Sequence, residues 1–227
     1  MSRDRFSPYE FALVIALAFG WSVYGSIVSL VQGRTVGTAG TVDSFTNGHL
    51  YGVVLTELLI LPALAAVLYA RGWRLADFPF GIGKAATALG ILIGIGAWVI
   101  DIALAEVMES LYPSMRAEMQ LLRDYAPTTP PDLVAIYLLS VVNPVFEEIV
   151  ICGYVIPTLA ARFGPTVAVN VSVCIRVSYH LYQGIAMAPF HLAYGLIQAY
   201  AFLKFRNLWP VVVSHAFLDF FALAALA

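Results

Sequence analysis

The chain has 227 residues, 61% of them hydrophobic and only 11% charged, with a net charge of −2 and a mean hydropathy of +0.85. A soluble domain carries roughly 25% charged residues, so this sequence lacks the polar surface to be one. Its charge balance speaks against a nucleic-acid partner or a polybasic membrane patch.

At ~20 residues per span, the length suits about seven crossings, short loops and no second domain. The expectation is an all-α polytopic membrane protein, with seven to eight transmembrane helices in a compact bundle. The whole chain, 1–227, reads as a single integral membrane domain, with N-terminal spans in 1–131 and core spans in 132–227.

Arg3 and Arg5 precede the first apolar run, 9–31. That run is too long for a signal-peptide core and lacks a small-residue cleavage site, so it reads as an uncleaved span. Further runs occupy 50–70, 85–108, 133–161, 166–182, 188–204 and 208–226. The Gly/Thr-rich stretch 33–48 and the polar stretch 109–132 are the longer loops.

In the third run, Gly90, Gly94 and Gly96 form a small-residue face suited to close helix packing. The fourth run is too long for one straight crossing, and Pro144 is positioned to break it. With seven spans and the N-terminus inside, one side collects Arg3, Arg5, Arg71, Arg74, Lys84, Arg162, Lys204 and Arg206. The other side receives Arg34, Arg116 and Arg123, a split that places the N-terminus in the cytoplasm. Trp21, Trp73 and Trp209 sit near span ends and read as interfacial belt residues.

Ionisable residues inside these runs carry the functional signal. A carboxylate at the bilayer centre costs at least ~2.5 kcal/mol on insertion scales, yet Glu147 and Glu148 are adjacent in NPVFEEIVICGYV. Later runs contain Arg176 and His180, then His191, then His215 and Asp219. Arg162-Phe163-Gly164-Pro165 reads as a tight turn between antiparallel helices. Counted from it at 1.5 Å per residue, Glu147 and His180 each lie roughly 22 Å away, at one level on neighbouring helices. Arg176 and His180 are one turn apart, as are His215 and Asp219. Acids and imidazoles gathered in apolar helices suit proton-transfer chemistry, and an intramembrane hydrolase is the first reading. Proton relays of carriers use the same residue types, but no inverted repeat is detectable.

Three motifs in order resemble the CPBP family of CAAX-protease and bacteriocin-processing, abortive-infection-type intramembrane proteases. They are Glu147-Glu148 followed by Gly153, the run Arg176-Val177-Ser178-Tyr179-His180, and His215-Ala216-Phe217-Leu218-Asp219. The resemblance covers about 143–221. It implies an intramembrane endopeptidase in which Glu147 and His180 activate a water that attacks a peptide carbonyl. His215 and Asp219 then stabilise the oxyanion, and Glu148 supports the site. It also implies a membrane protein or peptide as substrate, and location in the plasma (inner) membrane of a prokaryote.

The residues qualify these roles. An ionised Asp219 would repel an oxyanion, so it more readily orients His215 by accepting its N–H. No cofactor is expected, because HExxH-type spacing is absent. Should a divalent metal such as zinc take part, Glu147, His180 and His215 would be its ligands.

Two positions depart from the family pattern. The arginine expected after the Glu pair is Cys152, and the phenylalanine expected before the motif histidine is Arg176. Together they suggest a relocated cation, with Arg176 reaching Glu148 from the neighbouring helix. If the site has instead decayed, the chain is a membrane scaffold or an immunity-type binding protein on the same fold. Cys152 and Cys174 lie in apolar runs and read as small buried residues rather than a disulfide or zinc ligands. His191, outside the motifs, reads as an interfacial or hydrogen-bonded histidine. Glu57, Asp101 and Glu106 either line a cavity or join helices by hydrogen bonds.

Overall fold

A computed structural model describes residues 6–38 and 44–227. Arg3 and Arg5, counted above in the charge asymmetry, lie outside the described residues. Every regular element among the described residues is helical, without a strand. Helices α1 (Pro8–Val31), α2 (Asn47–Ala70) and α3 (Lys84–Leu111) are followed by the short amphipathic α4 (Pro113–Arg123). Then come α5 (Leu133–Glu148), a π-helical stretch Ile149–Val155 and α6 (Ile156–Phe163), which form one continuous rod. Helices α7 (Pro165–His180), α8 (Ala188–Phe205) and α9 (Leu208–Ala224) complete the chain.

Among the described residues, five segments are long and apolar enough to cross a bilayer: α1, α2, α3, the rod Leu133–Phe163, and Ile185–Phe205. The chain is therefore an integral membrane protein. Helices α7 and α9, which the apolar runs suggested as further spans, have 16 and 17 residues. Both fall short of the ~20 that a perpendicular crossing takes.

Side chains that satisfy first-turn N–H groups set several helix starts. Ser7 accepts from Glu10, Thr46 from His49, Asp132 from Ala135 and Asn207 from Trp209. Pro8, Pro113 and Pro165 occupy first-turn positions, where a missing N–H costs nothing.

Pro144 does not break the fourth run. It lies inside α5, and the irregularity comes later, at the π stretch. Glycine again decides packing where α3 crosses α9. A Cβ on Gly90 would lie 2.6 Å from Val213 Cβ and 2.7 Å from the Pro210 carbonyl oxygen, and one on Gly94 3.0 Å from the Phe217 ring. Gly96 has nothing within 4 Å of such a Cβ, so it plays no part in that contact.

At one end of the bundle, Asn207 exchanges two 2.9 Å hydrogen bonds with the Gly81 backbone, and Leu208 N–H donates to the Pro79 carbonyl. Phe6 packs on Phe163. The turns after α2, α6 and α8, with their basic residues, thus gather at the end where α1 begins. Trp73 is not a belt residue. It is 3% exposed, and its indole N–H donates to Glu10.

Candidate active site

The rod formed by α5, the π stretch and α6 sits at the centre of the bundle, touching α2, α7, α8 and α9. Half of its most apolar window is buried, against about a fifth for α1 and α2. Glu147 and Glu148 close α5, and both are buried, Glu148 completely.

Arg176, 1% exposed on α7, spans the pair. Its Nη1 donates to Glu147 Oε2 at 3.0 Å and its Nη2 to Glu148 Oε1 at 2.8 Å. The guanidinium lies 5.2 Å from the centroid of the Tyr194 ring, a cation–π distance. Glu148 Oε2 accepts from the Cys152 thiol at 3.1 Å, so the residue standing at the family's arginine position touches the same carboxylate. Both cysteines are free, Cys152 buried and Cys174 exposed.

Helix α9 supplies the third side. His215 Nδ1 lies 2.9 Å from Glu148 Oε1, and its Nε2 lies 3.5 Å from Asp219 Oδ1. Only a ring protonated on both nitrogens can donate toward both carboxylates. Asp219 also accepts from Asn143 Nδ2 at 3.0 Å.

His180 is placed differently from the level argument. Glu147 meets Arg176 and the Tyr179 hydroxyl, while the imidazole of His180 stacks on His191, with centroids 4.1 Å apart and planes within 3°. The reason lies in the π stretch. Its i→i+5 bonding packs more residues into each turn, so Glu147 sits closer to the α6–α7 turn than a uniform α-rise predicts. The residues opposite it are then Arg176 and Tyr179 rather than His180. His180 Nδ1 is buried without a hydrogen-bond partner, the kind of atom a water or substrate amide satisfies. His191 Nε2 pairs with Gln183 Oε1 at 2.8 Å. The conditional metal set is not assembled: among the described residues, no three His, Cys, Asp or Glu side chains converge as a metal site, so Glu147, His180 and His215 do not form one.

Three residues at the site were given no role by the sequence reading, and a fourth, His191, was read only as an interfacial or hydrogen-bonded histidine. Asn143 had a usable signal, since it lies one turn before Glu147 and so on the same face. Tyr179 and Tyr194 had none, because aromatic residues are common throughout the chain. His191 was visible but belongs to no motif. Glu57, from α2, is buried, its Oε2 has no hydrogen-bond partner, and it lies within electrostatic reach of Glu147 and Asp219. It joins no helices by hydrogen bonding through that oxygen.

Residues 129–221 match the family described as Rce1-like, type II CAAX prenyl endopeptidase Rce1-like. No curated protein and no solved structure gives a significant match to the chain. The match spans every element from the start of the central rod to Asp219, and this segment is similar to the Rce1-like family.

Proposed function

We propose that the protein is an intramembrane endopeptidase that hydrolyses a peptide bond in a membrane-associated protein or peptide. The observation that carries this reading is the buried Glu147–Glu148 pair bridged by Arg176 inside the Rce1-like segment. Glu147 removes a proton from a water whose oxygen attacks the scissile carbonyl carbon, then returns that proton to the departing amide nitrogen. His180, with its unpartnered ring nitrogen, orients that water or the substrate amide. His215 donates to the oxyanion through Nε2, whose 3.5 Å contact with Asp219 is loose enough to yield. Glu148 and Arg176 hold Glu147 and His215 in register.

The relocated cation supports catalysis over decay. Arg176 engages both glutamates, and Cys152 leaves no carboxylate oxygen of Glu148 without a donor. In this reading α7 and α9 also cross the membrane, which makes seven crossings. The N-terminus then faces the cytoplasm of a prokaryotic cell.

The test is peptide release. Purified protein in detergent, offered membrane-anchored peptides with and without a prenylated C-terminal cysteine, should yield a defined cleavage product by mass spectrometry. Cleavage should survive exhaustive chelation, since water activation here runs through Glu147. Activity lost on chelation and restored by zinc would replace this mechanism with a metal-dependent one. Absence of any product with an intact, folded protein would favour a binding role for the same fold.

A further inference from the structure

A cavity of about 1420 Å³ opens between α1, α2, the rod and the turn at 71–80. Its floor includes Val14, Leu64, Trp73, Val150 and Tyr154, all buried. The α2 side runs from Leu58 to Tyr69, eleven helical steps or about 16 Å along the helix. That is roughly half of the ~30 Å hydrocarbon thickness, the depth of one leaflet.

At the mouth stands Arg74, and the neighbouring backbone pins it in place. Its Nη1 donates to the carbonyls of Tyr69 at 3.0 Å and Trp73 at 2.8 Å, and its guanidinium carbon lies 4.3 Å from the centroid of the Tyr69 ring. The Asp77 carboxylate is turned to the Arg74 backbone N–H at 2.8 Å. The two carbonyl bonds use one guanidinium nitrogen of three. The side chain is thus a pre-oriented cation at the interfacial end of an apolar slot one leaflet deep. Lys84, Arg162, Lys204 and Arg206 lie in or beside the turns at the same end, a field that favours anionic headgroups.

We propose that this cavity binds a single anionic phospholipid, one acyl chain lying along α2 against Ile149 and Val150 and the phosphate held by Arg74. The inference does not depend on the proteolytic reading. It has a consequence for the site, because Ile149 and Val150 directly follow Glu148 in the rod. A seated chain props the wall that carries the glutamate pair.

Trp73 provides the reporter. In a variant with Trp21, Trp98 and Trp209 replaced by phenylalanine, fluorescence comes from Trp73 alone. Reconstituted into phosphatidylcholine nanodiscs, it should be quenched by phosphatidylglycerol brominated on its acyl chains. Association should exceed that of brominated phosphatidylcholine roughly fivefold, equivalent to the ~1 kcal/mol of one basic residue near an anionic surface. Arg74→Gln should bring the ratio close to one, and Ala65→Phe, which fills the slot, should weaken quenching by both lipids. Equal quenching by the two lipids in the parent protein would overturn the proposal. So would a ratio unchanged in Arg74→Gln, an exposed position where substitution leaves the bundle intact. Quenching that responds to Ala65→Phe but not to headgroup charge would indicate a groove for a neutral chain, and would equally overturn the phosphate assignment.

Discussion

Two buried carboxylate networks hang on the same central rod, and they are built on opposite principles. Near the basic end, Glu10 accepts from Arg71 Nε at 2.8 Å, Trp73 Nε1 at 3.2 Å and the Tyr154 hydroxyl at 3.1 Å. One acid faces one cation and two neutral donors. Its Arg71 partner is half exposed, so the pair keeps contact with solvent. Deeper in, Glu147, Glu148 and Asp219 share Arg176 and His215, and Glu57, within electrostatic reach of Glu147 and Asp219, has an Oε2 without a hydrogen-bond partner. Four acids face two potential cations.

A network saturated with donors fixes helices in place. One oversupplied with acid holds protons or awaits a partner, which is the condition for moving protons. The Glu10 cluster therefore ties α1 and the 71–80 turn to the rod, and the Glu147 cluster is where chemistry is expected.

The sharpest way to break this comparison is to neutralise one acid in each network. Glu147→Gln should lower peptide hydrolysis by about 10²- to 10⁴-fold, the range for losing a general base, while the protein remains folded and extractable. Glu10→Gln should leave turnover per folded molecule near wild type. Equal losses in a peptide-release assay would show that the two networks are not functionally distinct.

Next in size is the Arg176 cycle. Removing one partner of a buried ion pair leaves an uncompensated charge and costs about 3–5 kcal/mol, so Arg176→Phe should destabilise strongly. Adding Cys152→Arg puts a cation beside Glu148 Oε2, where the thiol now sits. Stability should recover more fully than activity, because a cation at 152 serves Glu148 while Arg176 also holds Glu147. Chemical denaturation of the four proteins measures the coupling. Additive effects would show that positions 152 and 176 do not share that carboxylate.

How much of this could be read in the sequence follows from the range of each signal. Membrane class and the long helices come from composition and run length, which survive any tertiary arrangement. The glutamate pair, Arg176, His215 and Asp219 stood out because ionisable groups in apolar runs are costly, and the structure brings all five together. The pairing of Glu147 with His180 assumed a uniform α-rise through residues 149–155. Nothing in IVICGYV announces a π stretch, since its hydrogen-bond pattern is set by packing against α7 to α9. Likewise Trp73 reads as interfacial by position, yet it is buried by Glu10, a contact 63 residues away. Long-range partners of this kind leave no periodic trace.

A smaller effect tests the structural side of the comparison. Tyr154→Phe removes one of three donors to Glu10 without changing the packing volume appreciably. The loss should be about 1.5–3 kcal/mol, typical for a hydrogen bond to a charged group, and turnover per folded molecule should stay near wild type. A stability unchanged in thermal unfolding would mean that Arg71 and Trp73 already satisfy the carboxylate.

The smallest expected effect falls on Glu57, and its size is informative because it is small. A buried acid locked in a closed ion network costs several kcal/mol to remove, since its partner is left exposed to low dielectric. Glu57 has no such partner at Oε2, and its charged neighbours Glu147 and Asp219 have the same sign. Glu57→Gln replaces the carboxyl with an amide of the same shape that can donate to either neighbour. Stability should therefore change by less than about 1 kcal/mol, the scale of a typical net hydrogen bond, or should rise. If denaturation instead shows a loss comparable to Arg176→Phe, Glu57 is a member of a closed network. The Glu147 cluster would then be built on the same principle as the one around Glu10, and the contrast between them would fail.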